Sequence, residues 1–232
     1  MCVSDVFEAP AATRAAASDG RQFPVRRVFC IGRNYAAHAR EMGSDPDRDP
    51  PFFFTKWAEA VVPSGTTIAY PPETADFHYE AELVVAIGKG GRNIAAGDAA
   101  AHIFGYAAGL DMTRRDLQQA AKEKGRPWDT AKNVEQSAPL GVIHPRTAVM
   151  AAGAIALTVN GEVRQQGDIA DMIWPVDDVI AYVSRFYRLE PGDLIYTGTP
   201  SGVGAVAEGD EIVVTIDGLS PCTVRIGAPA RD

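Results

Sequence analysis

The sequence predicts a mainly β protein of the α+β class with a few short helices. Short runs of β-favouring residues recur along the chain, and Gly, Pro, Asn or Asp bound most of them. Two runs contain the dipeptides Asn160-Gly161 and Asp217-Gly218, which readily supply the positive φ angles of a type I′ turn. Helical patterns are confined to three segments, so we expect antiparallel strands to form most of the structure.

Six segments carry the strand pattern. They span residues 26–31, 77–88, 102–110, 154–164, 193–196 and 211–216. The second contains the run from Leu83 to Ile87, which is apolar on both faces of a strand. Such a run is typical of a strand that enters the core instead of lying against water.

Three segments carry the helix pattern. Asn34 is expected to cap a short helix that Gly43 stops, and Thr113 followed by Asp116 resembles a capping box that opens a second helix. Residues 176–187 have apolar side chains at helical spacing on one face. We therefore expect the third helix to pack on the core.

The length of the chain fits one large domain. With 232 residues, of which 46% are hydrophobic, the chain is able to bury a substantial core. Residues 1–24 are small and polar without a sustained period, which predicts a flexible N-terminal arm before a single domain at 25–232. The Asp- and Pro-rich residues 43–51 predict an exposed loop that is able to move.

Composition argues against several classes of partner. The net charge of −8, with no basic tract, argues against nucleic acid. No apolar run approaches the length that crosses a membrane, which argues against a membrane partner. Cys2, Cys30 and Cys222 lie far apart and include no Cys-x-x-Cys pair, so we expect reduced thiols in a cytoplasmic protein.

Three acidic residues indicate a metal site. Strand alternation places His78, Glu80 and Glu82 on one face, where two like charges need a cation if they are half-buried. A solvent-facing pair of glutamates also satisfies this spacing, but Asp111 at a strand-to-helix junction adds a third carboxylate. A set of oxygen ligands alone favours Mg²⁺, Mn²⁺ or Ca²⁺ over zinc.

His38 and Glu41 form a candidate catalytic pair. They lie three residues apart on the first predicted helix and so share one face. A carboxylate beside an imidazole fixes the tautomer and raises the basicity of the ring, which suits a general base that activates water. A solvated His/Glu pair on a surface helix is the alternative interpretation.

Basic and polar residues after Asp111 favour an anionic substrate. Arg115 and Gln118 share a helical face and are able to hold a carboxylate, while Lys132 follows beyond the predicted helix. Residues 197–204 offer backbone N–H groups and hydroxyls to an anion, although a plain cluster of turns explains their composition as well.

These segments resemble the fumarylacetoacetate hydrolase family, in its small bacterial fumarylpyruvate hydrolase and acylpyruvase branch. The resemblance extends over about residues 25–226. The segments that carry it are Gly32-Arg33-Asn34-Tyr35 with His38 and Glu41, Glu80-Ala81-Glu82, residues 110–116, Lys132, residues 159–162 and residues 197–204. The resemblance implies a mixed β-roll with short peripheral helices and a homodimeric assembly.

The resemblance also implies a role for each matching residue. The metal carboxylates of the family fall on Glu80, Glu82 and Asp111, and its water-activating dyad falls on His38 and Glu41. The implied cofactor is one divalent cation, Mg²⁺ or Mn²⁺, with Ca²⁺ as a further choice. The active-site lysine falls on Lys132, and the positions that bind substrate or product fall on Arg115, Gln118, Thr199 and Lys56.

The implied activity is metal-dependent hydrolysis of a carbon–carbon bond in an acylpyruvate, a small anionic 2,4-diketo acid. Fumarylpyruvate, cleaved to fumarate and pyruvate, is the expected substrate. One alternative keeps the scaffold but decarboxylates or tautomerises oxaloacetate, and the presence of both His38 and Glu41 favours hydrolysis over it. Another is a non-catalytic metal-binding β module.

Overall fold

The computed structural model describes residues 6–8, 10–41, 51–146 and 148–229, and for residues 39–41 it describes the backbone alone. The exposed loop predicted at residues 43–51 therefore lies outside the described residues, apart from Pro51. The flexible arm predicted at residues 1–24 is described from residue 10 onward and in the short stretch 6–8.

Strands dominate the described part of the chain, as the sequence predicts. They are β1 (Arg14–Ala16), β2 (Gln22–Pro24), β3 (Arg27–Gly32), β4 (Phe52–Lys56), β5 (Val61–Pro63), β6 (Thr67–Tyr70), β7 (Phe77–Tyr79), β8 (Ala81–Ile87), β9 (Ile103–Leu110), β10 (Thr113–Arg114), β11 (Ala138–Leu140), β12 (His144–Pro145), β13 (Ala154–Val159), β14 (Glu162–Asp168), β15 (Asp193–Tyr196), β16 (Gly204–Ala205), β17 (Glu211–Ile216) and β18 (Cys222–Pro229). The α-helices are α1 (Ala36–Glu41), α2 (Arg115–Glu123), α3 (Asp129–Lys132) and α4 (Val176–Phe186).

The largest sheet, here called the central sheet, has the strand order β4-β3-β15-β8-β9-β11-β5, with β12 also paired to β9. Most of its pairs are antiparallel, but β15 runs parallel to β3 and β11 runs parallel to β5. The sheet is therefore mixed, as the family resemblance implies.

The central sheet is buried on both faces because its strands are apolar on both. In β8, Leu83, Val85 and Ile87 pack into the larger core cluster, while Val84 and Ala86 pack into the smaller cluster behind the sheet. All seven residues of β8 are buried. The continuous apolar run in the sequence correctly predicted this two-sided burial.

A second sheet, the outer sheet, has the order β14-β13-β17-β18-β6 and contributes to the larger core cluster. The hairpin predicted at Asn160-Gly161 is confirmed, because these residues join β13 to β14 with φ angles of 52° and 83°. The pair Asp217-Gly218 also lies between antiparallel strands, but only Gly218 has a positive φ, so the predicted type I′ turn is wrong there.

The segment 77–88 was predicted as one strand, and the structure divides it at Glu80. Before the break, β7 pairs with β10 and β16 in a small separate sheet. After the break, β8 enters the central sheet. The break leaves Glu80 outside both strands, between two sheets, where its side chain is buried.

The helix at residues 176–187 is confirmed, since α4 buries Val176, Val179, Ile180 and Val183 on one face. The capping box predicted at Thr113 is wrong. Thr113 lies in β10, and the Asp116 carboxylate accepts hydrogen bonds from the Thr74 hydroxyl and the backbone N–H groups of Ala75 and Leu117. Asp116 thus joins α2 to the loop before β7.

Asn34 holds separate loops together instead of capping a helix as predicted. Its Oδ1 accepts a hydrogen bond from the Trp174 backbone N–H at 2.7 Å. Its Nδ2 donates to the carbonyl oxygens of Trp174 at 2.9 Å and Thr197 at 2.8 Å. A fully buried carboxamide therefore ties the start of α1 to two loops that are distant in sequence.

The predicted N-terminal arm is ordered in its second half. Strands β1 and β2 form an antiparallel hairpin, and Phe23 is buried and stacks on Phe104 with ring centroids 5.5 Å apart. The prediction was wrong for residues 14–24 because Phe23 provides an apolar anchor that the small, polar composition of the segment obscured. That residues 25–232 form a single domain stays a prediction.

No helix in the described ranges is both long and apolar enough to cross a membrane.

We expect Asn34→Ala to lower the free energy of unfolding by about 2–4 kcal/mol, because it leaves buried backbone donors and acceptors without partners. Urea denaturation measures this change. Asn34→Asp is a matched variant that keeps the acceptor for Trp174 N–H but loses both donated bonds. It should also destabilise the protein, which tests the donated bonds by themselves. A loss below about 0.5 kcal/mol for Asn34→Ala, the usual range of surface changes, would contradict this role.

Candidate metal and substrate site

The three predicted metal carboxylates meet at one end of the β8–β9 pair. Glu80 immediately precedes β8, Glu82 lies within it, and Asp111 immediately follows β9. The Asp111 backbone N–H donates to the Glu80 carbonyl oxygen at 2.9 Å, which continues the antiparallel register beyond the strands. One carboxylate oxygen from each residue lies within 4.8 Å of the others, and all three side chains are buried.

Cationic side chains lie against two of these acids. The Lys132 ammonium lies 2.8 Å from Glu80 Oε2 and 2.8 Å from Asp111 Oδ2. Arg115 Nη2 donates to Glu80 Oε1 at 2.6 Å, and its Nη1 donates to Gln118 Oε1. The structure thus brings Lys132, Arg115 and Gln118 to the acids as the sequence predicted, although α2 and α3 lie outside the sheets.

Glu82 has a different environment from the other two acids. Its Oε2 accepts a hydrogen bond from the Gly198 backbone N–H at 2.8 Å. Gly198 has a φ of 96°, and a Cβ there would lie 2.7 Å from the Asn34 Cβ. Only glycine satisfies both constraints, so the loop that follows β15 approaches Glu82 through its backbone.

The pKa values of Glu82 and Glu80 are shifted in opposite directions. Burial raises the pKa of Glu82 well above its usual value, and the nearby charges of Asp111 and Glu80 raise it further. Burial also acts to raise the pKa of Glu80, but Lys132, Arg115 and His38 outweigh it and the net pKa is lowered. Of these two glutamates, Glu82 gains more from an additional cation, and the cluster is able to bind a single divalent metal ion.

Lys56 lies behind the acids. Its ammonium is 2.9 Å from Asp111 Oδ1 and donates to the Met112 carbonyl oxygen and to both oxygens of Ser137. It is buried and is absent from the described residues that line the neighbouring cavity. This geometry favours a role in holding Asp111 over the substrate contact that the resemblance implied.

A cavity opens beside the acids, and all three acids line part of its wall. His38, Lys132, Arg115, Gln118 and Thr199 all contribute to its wall. His38 is buried on α1, and α1 extends to Glu41, whose side chain lies outside the described part of the chain. The pairing of His38 with Glu41 therefore stays a prediction.

Sequence reasoning missed Gln165, which supports the site from the outer sheet. This buried side chain on β14 accepts a hydrogen bond from the Ala81 N–H, between Glu80 and Glu82, at 2.9 Å. Its Nε2 donates to Thr199 Oγ1 at 2.9 Å and to the Pro200 carbonyl oxygen at 2.8 Å. Residue spacing gave no signal for this role, because each partner is distant in sequence.

Sequence reasoning also missed the aromatic and cationic part of the wall. Phe52, Phe54 and Trp128 line the cavity together with Arg33 and Lys122. The Lys132 ammonium lies 5.0 Å from the centroid of the Phe54 ring, so this wall begins next to the acids. The Phe-Phe-Phe sequence at 52–54 was the available signal, and it also predicts strand β4.

Comparisons with known proteins agree with this geometry. Residues 27–227 match the family model described as fumarylacetoacetate (FAA) hydrolase C-terminal. A fumarylpyruvate hydrolase from Ralstonia is 49% identical over 189 residues, which cover 80% of this chain and 98% of that protein. A mitochondrial oxaloacetate tautomerase from Homo sapiens is 41% identical over 206 residues, covering 88% of this chain and 93% of the relative.

A solved structure is similar along almost the whole chain. The crystal structure of fumarylpyruvate hydrolase from Pseudomonas aeruginosa, in complex with Mn²⁺ and pyruvate, superposes with a TM-score of 0.94 at 50% identity. The similarity covers 97% of this chain and 100% of the other. From the family model, the relatives and the shared architecture, we conclude that this chain belongs to the fumarylacetoacetate hydrolase family.

Proposed function

We propose that this protein is a metal-dependent hydrolase that cleaves fumarylpyruvate to fumarate and pyruvate. The observation that carries the proposal is the meeting of Glu80, Glu82 and Asp111 beside a cavity that also contains His38 and Lys132. The similar proteins from Ralstonia and Pseudomonas aeruginosa, both called fumarylpyruvate hydrolase, support the choice of substrate.

The charges of the inner site suit a divalent cation and an anionic substrate. The inner site contains three acids and three cations, Lys56, Lys132 and Arg115, so their formal charges sum to zero when all are ionised, although the cations pair only with Glu80 and Asp111. We propose that Glu80, Glu82 and Asp111 bind one Mg²⁺ or Mn²⁺ ion, and Mn²⁺ in the similar crystal structure supports this. When bound, the ion supplies Lewis-acid stabilisation of charge on the substrate and leaves the site positive.

His38 is the proposed general base. Its imidazole lies in the cavity wall, buried from bulk water, where it is able to take a proton from a water molecule as that water attacks the 4-oxo carbon. The bond between C3 and C4 then breaks, C4 becomes the carboxylate of fumarate, and C3 takes a proton to give pyruvate. Glu41 is proposed to orient the imidazole and to stabilise its protonated form.

The remaining cavity residues are proposed to hold the pyruvate part. Arg115 and Gln118 are positioned together by their mutual hydrogen bond, and Thr199 is held by Gln165. Lys132 provides a positive charge next to the negative charge that develops on the pyruvate part, and such a contact is typically worth about 3 kcal/mol of the reaction barrier.

Tautomerisation of oxaloacetate is the second candidate. The human mitochondrial relative that carries this name is 41% identical to the chain, and the reaction also needs stabilisation of an enolate. A general base serves either reaction, so the choice of hydrolysis rests on the higher identity of the similar hydrolases, 49% and 50% against 41% for the tautomerase.

The loss of the diketo-enolate ultraviolet band of fumarylpyruvate, followed with and without Mn²⁺ or Mg²⁺, tests the proposed reaction. We expect metal-dependent decay with one pyruvate released per substrate and loss of the rate after treatment with EDTA. Acetylpyruvate tests a shorter acyl group. No turnover of either substrate, together with turnover of oxaloacetate, would support the second candidate instead.

Variants separate metal binding from proton transfer. We expect His38→Ala to lower kcat about 10²- to 10⁴-fold, the usual contribution of a general base, while Mn²⁺ affinity changes little. We expect Glu82→Gln to weaken Mn²⁺ binding on the order of 100-fold and to lower the rate at limiting metal. Calorimetric titration with Mn²⁺ and steady-state kinetics measure the two effects.

Matched controls come from residues outside the cavity wall. His102→Gln removes a histidine whose Nδ1 contacts the Lys89 carbonyl oxygen, and Glu208→Gln removes an exposed carboxylate. Both controls should behave as the unchanged protein. A fully active His38→Ala variant would remove the general-base assignment without affecting the metal assignment.

The protein is further proposed to be a homodimer. Phe186 and Tyr187 are 53% and 43% exposed, and both contact Phe53 on β4, the first strand in the order of the central sheet. Such an aromatic edge is typical of a surface that associates. Light scattering is expected to give twice the mass of the chain, and Phe186→Glu to shift it toward the monomer; a monomeric mass at micromolar concentration contradicts the proposal.

A cytoplasmic location is also proposed. Cys30 and Cys222 are buried free thiols, which fit a reducing compartment. Fractionation of the native cells tests this location.

A further inference from the structure

We propose that Arg33 binds the second carboxylate of the substrate, and that this residue sets a preference for acylpyruvates that carry a carboxylate at the far end of the acyl part. The inference rests on the proposed function and names a residue that selects among its substrates. Fumarylpyruvate carries one carboxylate on the pyruvate part and another at the far end of the acyl part, whereas acetylpyruvate carries only the first. A site that selects fumarylpyruvate therefore needs a second anion receptor.

The side chain of Arg33 lies in the cavity wall, on an aromatic support. Its guanidinium carbon is 5.3 Å from the centroid of the Phe52 ring, and Phe52 contacts Trp128 edge-on at 5.4 Å. All three residues line the same cavity as the acids. An arginine that packs on an aromatic ring is held in place, and its planar fork of N–H donors suits bidentate binding of a carboxylate.

The backbone also fixes the position of Arg33. Its φ of 56° is in the left-handed region, which is unfavourable for a residue with a Cβ. The preceding Gly32 packs directly under Phe52, and a Cβ at Gly32 would lie within 2.2 Å of the Phe52 ring. Strained residues that persist beside a cavity are held there by their surroundings and are concentrated at ligand-binding sites.

The position of Arg33 in the chain places it on the acyl side of the reaction. It stands five residues before His38, at the turn that leads into α1. The carbon that receives water from His38 belongs to the acyl part, so this part lies next to α1. Arg115 and Gln118 are on α2, where Arg115 donates to both Glu80 and Gln118, and this position beside the acids assigns them to the pyruvate part.

Lys122 also lies in the aromatic and cationic part of the cavity wall, so it is a second candidate for binding the distal carboxylate. It lies on α2, one helical turn beyond Gln118, and is therefore on the element that serves the pyruvate part. This placement favours Arg33 as the receptor of the distal carboxylate.

Substrate preference tests the inference. We expect Arg33→Met to lower the ratio of kcat/KM for fumarylpyruvate over acetylpyruvate about 10- to 100-fold, the loss expected for a charge-assisted hydrogen bond. Arg33→Lys keeps the charge but not the planar fork, so it should lose less. We expect fumarate to become a weaker competitive inhibitor of acetylpyruvate hydrolysis by Arg33→Met, while inhibition by pyruvate changes much less. These inhibition constants report binding of each product and do not depend on turnover of fumarylpyruvate.

Lys122→Met is the matched control, and it should keep the preference of the unchanged protein. An equal loss on both substrates in Arg33→Met, or a selective loss in Lys122→Met, would overturn the assignment of Arg33 while leaving the hydrolase function intact. If the unchanged protein hydrolyses neither substrate, the proposed function fails and the inference fails with it. Retained acetylpyruvate hydrolysis in Arg33→Met shows that the variant is folded.

Discussion

The rest of the site depends on the burial of three carboxylates at the end of one antiparallel strand pair. Glu80, Glu82 and Asp111 repel each other where little water screens them, and this arrangement destabilises the fold unless cations compensate. Lys56 and Lys132 hold Asp111 from two sides, so part of the compensation is built into the chain. No described Lys or Arg side chain forms an ion pair with Glu82, so the cluster is able to accept an additional cation there.

The two larger sheets make this unfavourable cluster rigid. The central sheet provides the strands that carry the acids, and its apolar side chains on both faces supply the burial energy that offsets the repulsion. The outer sheet contributes Gln165, which bonds the chain between Glu80 and Glu82 and the loop that contains Thr199. The proposed substrate contacts and candidate metal ligands are therefore positioned by one network that crosses from sheet to sheet.

Predictions succeeded where a local pattern and the tertiary environment agree. The apolar face of α4 and the hairpin at Asn160-Gly161 depend on residues close in sequence, and both are confirmed. Asn34 and Thr113 have the composition of helix caps, but their side chains have better partners far along the chain. The strand break at Glu80 was missed because alternation within a segment does not reveal which sheet each half joins.

The sequence by itself determined the mainly β class, the two-sided burial of β8 and the residue types that the chemistry needs, because these follow from composition and short spacing. Only the tertiary structure decided that Lys56 lies behind Asp111 and that Arg33 lines the cavity on Phe52. The physical reason is that charge compensation acts through space. Its partners are brought together by strand pairing and packing between segments, which local periodicity does not encode.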